Sequence, residues 1–392
     1  MKDSDIIYQP VPVKSRIIVG KGTDASVRNY LSGLLSSYRS LYAFVDKELV
    51  MKSQIACDLA AELQEMKCPV MAVEATEQKK TMDHVLEICS WLMDKGAGRD
   101  AVLVAVGGGI TTDLVGFAAS IYKRGVRYVN VPTTLLSQID AGLGGKTGVN
   151  FQQYKNMLGV ILQPSFTFLW PAFLTSLPRR DFLSGAAELL KTFMIEDDGN
   201  YRKTADLLFE MSSEFNLEVL MNGKDEKKTW GGIMSKHQNT LRELIEQAAR
   251  VKAGVVSRDP VEKGERRKLN LGHTFAHAIE TLAQRDGGER FEGEGVTHGE
   301  AVAKGLVLAA RLADRYYRKD RNDPTELEGM VSNDLWDSDI PCFCPYTIEE
   351  MAEVMKKDKK AEGGKIHFVL PKAIGVVEVV ALTVDEVCRL ME

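Results

Sequence analysis

Three of the six histidines in this chain lie close together: His273 and His277 in Leu269-Asn270-Leu271-Gly272-His273-Thr274-Phe275-Ala276-His277, and His298 in His298-Gly299-Glu300. Residues four apart share one face of a helix, and histidines beside apolar helical sequence suit a buried metal site. Upstream, Glu188 stands in the run Ala186-Ala187-Glu188-Leu189-Leu190-Lys191. Its spacing to Lys191 is also that of an ordinary i,i+3 helix pair. A glutamate among these neighbours, however, is costly to bury without a strong partner. Two histidines and a carboxylate around an open position form a common ligand set for catalytic zinc. The first chemistry this sequence suggests is that of a metalloenzyme.

The second suggestion is anion binding. The apolar run Val102 to Val106 leads into Gly107-Gly108-Gly109 and then a helical pattern with Asp113 in its first turn. Strand, glycines and helix bring backbone N–H groups and a helix N-terminus up to a phosphate. The run is not the GxGxxG fingerprint, and the acidic residue expected ~20 positions on is absent. Asp46 instead closes an upstream strand, where a carboxylate can take a ribose hydroxyl. The plainer alternative is a tight turn that uses glycine for φ > 0. Farther along, Pro132-Thr133-Thr134 precedes Asp140, Gly144-Gly145-Lys146 and then Lys155-Asn156. A glycine loop ending in lysine suits an anionic ligand.

The elements that must position these residues change character along the chain. Leu41 to Val45, Val70 to Val73, Ala101 to Val106 and Tyr128 to Val131 read as buried strands, with amphipathic stretches such as Thr81 to Lys95 between them. That alternation predicts a largely parallel α/β sheet over residues 1–180. Beyond Pro178, helical patterns dominate: Asp181 to Met194, Leu241 to Val256, Leu271 to Ala283 and Glu300 to Tyr317. Residues 181–392 therefore read as a second, mainly helical domain, with one strand signal at Lys365 to Pro371. The polar stretch Glu196 to Lys236 reads as a surface insertion with some helix and no chemical role.

Composition narrows the classes. The formal net charge of −5 offers no footprint for nucleic acid or an anionic membrane. No run approaches the ~20 apolar residues of a membrane span. The six cysteines are scattered rather than spaced as a disulfide framework, and the first residues lack the apolar core of a signal peptide. The expectation is a cytoplasmic enzyme whose cations are local and serve a small anionic molecule.

Taken together, the glycine triplet with Asp113, the Pro132 to Asn150 run, Lys155-Asn156, Glu188 with Lys191, Leu269 to His277 and His298-Gly299-Glu300 resemble the 3-dehydroquinate synthase family of sugar-phosphate cyclases. The likeness runs from about Phe44 to Pro371. It implies an N-terminal NAD-binding α/β domain, a C-terminal helical metal-binding domain, an active site in the cleft between them and a homodimer. It implies a phosphate-eliminating carbon–oxygen lyase of the shikimate pathway, which makes 3-dehydroquinate from 3-deoxy-D-arabino-heptulosonate 7-phosphate. The family reaction is transient NAD-dependent oxidation, β-elimination of phosphate, reduction and intramolecular aldol closure.

By matching positions, the resemblance assigns Glu188, His273 and His298 to Zn²⁺, with Co²⁺ able to replace it. It places Asp140, Lys146, Asn156, Lys191, Lys252, Arg266, Asn270 and His277 around the substrate. Lys146 and Lys155 would sit where cofactor and substrate meet. Arg124 would reach the phosphate in the neighbouring subunit's site, and Lys359 would add a phosphate contact. NAD would meet Asp46, Glu77, Lys80, Gly107, Gly108, Gly109, Asp113, Thr133, Thr134 and Leu136, and then Ser176, Leu177 and Asp181. The sequence departs from the family where Ala141-Gly142 replaces two serines, where Leu169-Trp170-Pro171 lacks an aspartate and where Ser176 replaces threonine. Two rivals share parts of this pattern. A metal-dependent polyol or alcohol dehydrogenase would release NADH at each turnover, but a neutral polyol needs no such set of cations. Another sugar-phosphate cyclase would not need the carboxylate-binding pair Lys252 and Arg266.

Overall fold

A computed structural model describes residues 14–22, 25–152, 154–222, 225–291, 295–317, 326–357 and 364–392. Lys359 therefore lies outside the described residues. The first half is built on a parallel sheet. Its strands are β1 (Arg16–Val19), β2 (Leu41–Asp46), β3 (Val70–Val73), β4 (Val102–Gly107), β5 (Arg127–Pro132) and, after a hairpin of β6 (Lys146–Phe151) and β7 (Tyr154–Ile161), β8 (Phe166–Leu169). The spatial order is β1-β8-β5-β4-β2-β3, and the paired strands run parallel. Helices α1 (Ala25–Leu35), α2 (Lys47–Lys52), α3 (Gln54–Glu65), α4 (Met82–Asp94) and α5 (Gly109–Ile121) make the crossovers.

Alternation along β4 shows why the strands are so apolar. Val102, Val104 and Val106 enter one buried cluster with Leu31 and Leu59, while Leu103 and Ala105 enter another with Ile88 and Leu114. A parallel sheet covered on both faces needs apolar residues at successive positions, not every second one. The chain winds from β2 outward to β3 and then back across β2 to β4. The crevice beyond the carboxyl ends of β2 and β4 is therefore a topological switch point, where open α/β sheets place ligands. Asp46 and the glycine triplet flank it.

The second half holds α6 (Arg179–Glu196), α7 (Asp198–Asn222), α8 (Glu226–Lys236), α9 (Gln238–Arg258), α10 (His273–Arg285), α11 (His298–Tyr316), α12 (Leu327–Asp337) and α13 (Ile348–Met355). An antiparallel pair, β9 (Ile366–Ala373) and β10 (Val376–Leu382), precedes α14 (Val384–Met391). In α6 every residue from Phe182 to Ile195 is buried. A helix apolar all round belongs in a core, and Glu188 is carried into the centre with it.

Two expectations need correction. The stretch 196–236 is no loose insertion: α7 and α8 bury Leu207, Leu208, Met211, Phe215 and Trp230 in the helical core. Their polar composition reflects outer faces that are solvated while the inner faces pack. The glycine-rich segment after β5 is likewise no plain loop. Ser137–Ala141 forms one π-helical turn, and Lys146 begins a β-hairpin. Single π turns recur at functional sites, and this one directs Asp140 toward α6 and α9.

Candidate active site

Three helices meet at Glu188. Its side chain is fully buried, and its Oε1 lies 3.5 Å from His273 Nε2 and 3.2 Å from His298 Nε2. The possible donor atoms of the three residues lie within 4.8 Å of one another. Two glycines allow this convergence. Gly272 takes φ +76 immediately before α10, in contact with α11, and a Cβ on Gly299 would fall 1.8 Å from the Ser184 carbonyl oxygen. Thr297 and Glu300 form a reciprocal capping box that fixes the start of α11 at His298. Glu300 also pairs with Arg180 at 2.8 Å. Its role is to hold the helix end.

The donor chemistry fits a zinc-like ion. His273 Nδ1 lies 3.1 Å from the Leu271 carbonyl, which as an acceptor fixes the proton on Nδ1 and leaves Nε2 a lone pair. Among the described residues neither Glu188 oxygen has a partner in hydrogen-bonding geometry, although both are buried. A buried carboxylate in that condition needs a cation. Lys191 supplies one, 2.7 Å from Oε2, and also donates to the Leu269 carbonyl at 2.8 Å. Burial opposes ionisation of Glu188, yet Lys191, His273 and His298 hold its carboxyl well below the usual carboxylate range. Burial and the Lys191 charge push His273 well down, toward the neutral form a metal requires. His277 packs edge-on against His273, with ring centroids 5.6 Å apart.

The proposed substrate residues gather beside this centre. Lys252 forms a close ion pair with Asp140 Oδ1, and Lys191 lies 3.7 Å from Asp140 Oδ2. Lys146 pairs with Glu262, and Asn270 donates to the same carboxylate at 2.9 Å. Glu262 takes a left-handed φ of 58°, in a turn where Asp259 accepts from the backbone N–H groups of Lys263, Gly264 and Arg266. Arg266 is buried, and each of its terminal nitrogens donates one N–H to the backbone, to the carbonyls of Pro260 and Gly144. Arg266 thus joins the glycine turn to the Pro260 segment.

The cofactor-side residues collect at the sheet edge. Lys80 donates to Asp113 and to Asn156, which places Asn156 here and not with Asp140. Burial raises the Asp113 carboxyl to about 6 although Lys80 pulls it down. Asn150 donates to Glu77 at 2.8 Å. Asp46 Oδ1 caps α2 by accepting from Glu48 N, and burial raises its pKa. None of Gly107, Gly108 and Gly109 has positive φ among the described glycines. Crowding is what requires Gly107, where a Cβ would come within 2.4 Å of Thr111 Oγ1. α5 begins after Gly108 with no side-chain cap, which leaves the helix N-terminus at the crevice. Thr133 N donates to the Gly107 carbonyl, Thr134 Oγ1 bonds Ser137 Oγ at 2.9 Å, and Leu136 begins the π turn. Ser176 Oγ donates to the Phe173 carbonyl, followed by buried Leu177, while Asp181 lies in the first turn of α6.

Arg124 lies apart from all of these, exposed at the end of α5, and pairs with no carboxylate among the described residues. Lys123 and Arg124 both take left-handed φ, 49° and 73°. Two residues joined the site without having been singled out in the sequence. Lys155 pairs with Glu280 at 2.9 Å, and Glu280 reaches His298 Nδ1 at 3.4 Å. Glu280 lies seven residues after His273 and three after His277, on the same helical face, which is the one signal that could have found it. Glu262 had none, because its partners come from distant segments. A second carboxylate–histidine group, Glu210, Glu214 and His237, lies between α7 and the junction of α8 with α9, where Lys236 already pairs with Glu214.

Comparison with known proteins agrees with this geometry. The family model for the 3-dehydroquinate synthase N-terminal region matches residues 70–184, and that for the C-terminal region matches 185–361. A 3-dehydroquinate synthase of Dictyoglomus thermophilum is 36% identical over 351 residues, covering 89% of this chain and 88% of that protein. One from Acidithiobacillus ferrooxidans is 37% identical over 303 residues, 77% of this chain and 74% of its own length. Among solved structures, the 2-epi-5-epi-valiolone synthase of Streptomyces hygroscopicus, with NAD⁺ and Zn²⁺ bound, superposes with a TM-score of 0.75 at 26% identity, covering 98% of each chain. The parallel sheet, the buried Glu188–His273–His298 group and these matches together place the chain in the 3-dehydroquinate synthase family.

Proposed function

We infer that this chain is a 3-dehydroquinate synthase, converting 3-deoxy-D-arabino-heptulosonate 7-phosphate to 3-dehydroquinate and phosphate. It is a carbon–oxygen lyase acting in a cytoplasmic biosynthetic route to aromatic compounds. The observation that carries the reading is the meeting of one buried Glu-His-His group with Lys191, Lys252 and Asp140 beside the sheet's switch point. Glu188, His273 and His298 would hold Zn²⁺, and the β2/β4 crevice with Asp46, Gly107 to Gly109 and Asp113 would hold NAD⁺. When bound, the metal supplies a Lewis acid and the nucleotide a reversible hydride acceptor.

The chain's own residues do the rest. Lys146, Asn270 and His277 bind and orient the phosphate, and Lys252 the substrate carboxylate. Arg266 holds the Gly144 turn that carries Lys146 into place. Asp140, tied to Lys191 and Lys252, fixes the hydroxyl-bearing carbons against the metal centre. Two domains, 1–180 and 181–392, form the walls of the cleft. The working unit is a homodimer in which Arg124 reaches the neighbouring site. Its exposure, its strained backbone and the exposed apolar side chains Tyr154, Met157, Val160 and Ile161 of the hairpin support that assembly.

The test is phosphate release from the heptulosonate phosphate with trace NAD⁺, with absorbance followed at 340 nm before and after chelation. Many phosphates per NAD⁺, no accumulating NADH and loss on chelation are expected. NADH that grows with a plain polyol, without phosphate release, would replace this reading with the dehydrogenase.

A further inference from the structure

We propose that Glu280 is a positioning residue for the metal centre: it holds the His298 imidazole in the ligating tautomer, and Lys155 holds Glu280 in turn. The inference rests on the reading of Glu188, His273 and His298 as metal ligands. The two histidines reach that state by different means. His273 lies against its own chain turn, where the Leu271 carbonyl fixes Nδ1. His298 is the first residue of α11, and its side chain is 35% exposed against 12% for His273. Among the described residues no carbonyl is hydrogen-bonded to its Nδ1. That nitrogen instead faces Glu280 Oε1 at 3.4 Å, while Nε2 faces Glu188. An Nδ1–H donated to Glu280 leaves the Nε2 lone pair directed at the metal position. Carboxylate, histidine and metal in that order fix ring orientation and raise ligand basicity.

Lys155 completes the arrangement. Its Nζ lies 2.9 Å from the same Oε1 that faces His298. Lys155 belongs to β7 in the first half of the chain, whereas Glu280 and His298 belong to α10 and α11. Glu280 is 9% exposed at its side chain and Lys155 is 51% exposed, so the hairpin closes over a carboxylate already held by the helices. The metal ligand and the hairpin that carries Lys146 therefore share one oxygen atom. α10 supplies both a ligand, His273, and the group that aims the other ligand, His298.

The experiment is zinc affinity of the full-length protein by competition with a chromogenic chelator, together with the visible absorption of its Co²⁺-substituted form. Every protein carries Glu210→Gln, which breaks up the second carboxylate–histidine group, and the chain with that change alone is the reference, called unaltered below. Glu280→Gln is expected to weaken zinc by about 10–100-fold, the range for outer-shell partners, and to shift the Co²⁺ bands. Lys155→Met is expected to act in the same direction by less than tenfold. A Glu280→Gln protein that matches the unaltered chain in zinc affinity and Co²⁺ spectrum overturns the inference. So does a Lys155→Met protein that loses more affinity than Glu280→Gln. If the unaltered chain binds no zinc, the metal reading itself falls and this inference with it. Zinc bound alike by both proteins removes only the role of Glu280.

Discussion

The metal side of the site and the hairpin side are built by opposite means. Glu188, His273 and His298 project from three packed helices, at points where glycine lets backbones approach and caps fix the helix ends. Lys146, Lys155 and Asn156 lie on a two-stranded hairpin with one face largely exposed. The hairpin cations meet carboxylates of the chain itself: Lys146 meets Glu262 and Lys155 meets Glu280. Ligands that must be placed within fractions of an ångström sit on rigid elements. The hairpin cations sit where small backbone shifts are cheap, and their charge is balanced by carboxylates of the chain itself.

The largest expected effect attacks the rigid side. Glu188→Gln keeps the volume and removes the charge shared by His273, His298 and Lys191. Loss of the bound metal should lower turnover by about three orders of magnitude or more, since Lewis-acid assistance is worth several kcal/mol. Among the described residues the buried Lys191 then keeps only Asp140 as a counter-charge, at 3.7 Å. Stripping one partner from a buried pair costs about 3–5 kcal/mol. Metal content and urea unfolding of the purified protein measure both. Retained zinc with retained activity would show that the buried carboxylate serves Lys191 alone, and the contrast between the two sides would lose its basis.

How far the sequence reveals this site follows the same division. Helical periodicity put His273 and His277 on one face and Glu188 within a buried helix, because ligand spacing on a helix is local. The strands β2, β3, β4 and β5 are equally visible as apolar runs; β1, no shorter than β3, is only half-buried and pairs with β8 alone, a partner far along the chain. The hairpin was hidden because Lys146 to Ile161 carries polar and apolar residues without regular alternation, its register being set by the tight Gly148–Gly159 contact. The contact of Asn156 with Lys80 joins residues far apart in the chain and has no local signal. The contacts of Arg266 with the Gly144 and Pro260 carbonyls join separate segments of the chain, so only the fold shows them.

An intermediate effect tests the sheet edge, where Lys80 joins the hairpin to α5 through Asp113 and Asn156. Burial places the Asp113 carboxyl at about 6, above its ordinary value of 3.8. A raised carboxyl binds its proton more tightly in the fold than in the unfolded chain. Its contribution to stability is therefore full below the ordinary value and is lost as pH rises through about 6. Relative to Asp113→Asn, the unaltered protein should lose about 2–3 kcal/mol between pH 4 and pH 7. Urea unfolding of both proteins across that range gives the difference. Parallel curves would mean that Lys80 keeps Asp113 ionised throughout, and that pairing outweighs burial at this edge.

The smallest expected effect concerns the exchange of anions on the hairpin side. Glu262 is half-buried, and although burial opposes its ionisation, Lys146 and Asn270 hold its carboxyl below the usual range. An incoming phosphate must compete with that carboxylate for the same two donors. Glu262→Gln removes the competing charge but keeps the turn, whose backbone is held by Asp259. A partly exposed ion pair with one added hydrogen bond is worth about 0.5–1.5 kcal/mol. Inorganic phosphate should then bind about two- to tenfold more tightly by titration calorimetry. Glu265→Gln is the control, because Glu265 lies three residues on, carries the same charge and pairs with Arg258 instead. Equal tightening in both variants would reduce the effect to net charge. Tightening in Glu262→Gln alone would identify the carboxylate that substrate displaces, and weaker phosphate binding there would mean that Glu262 orders Lys146 for the anion instead of competing with it.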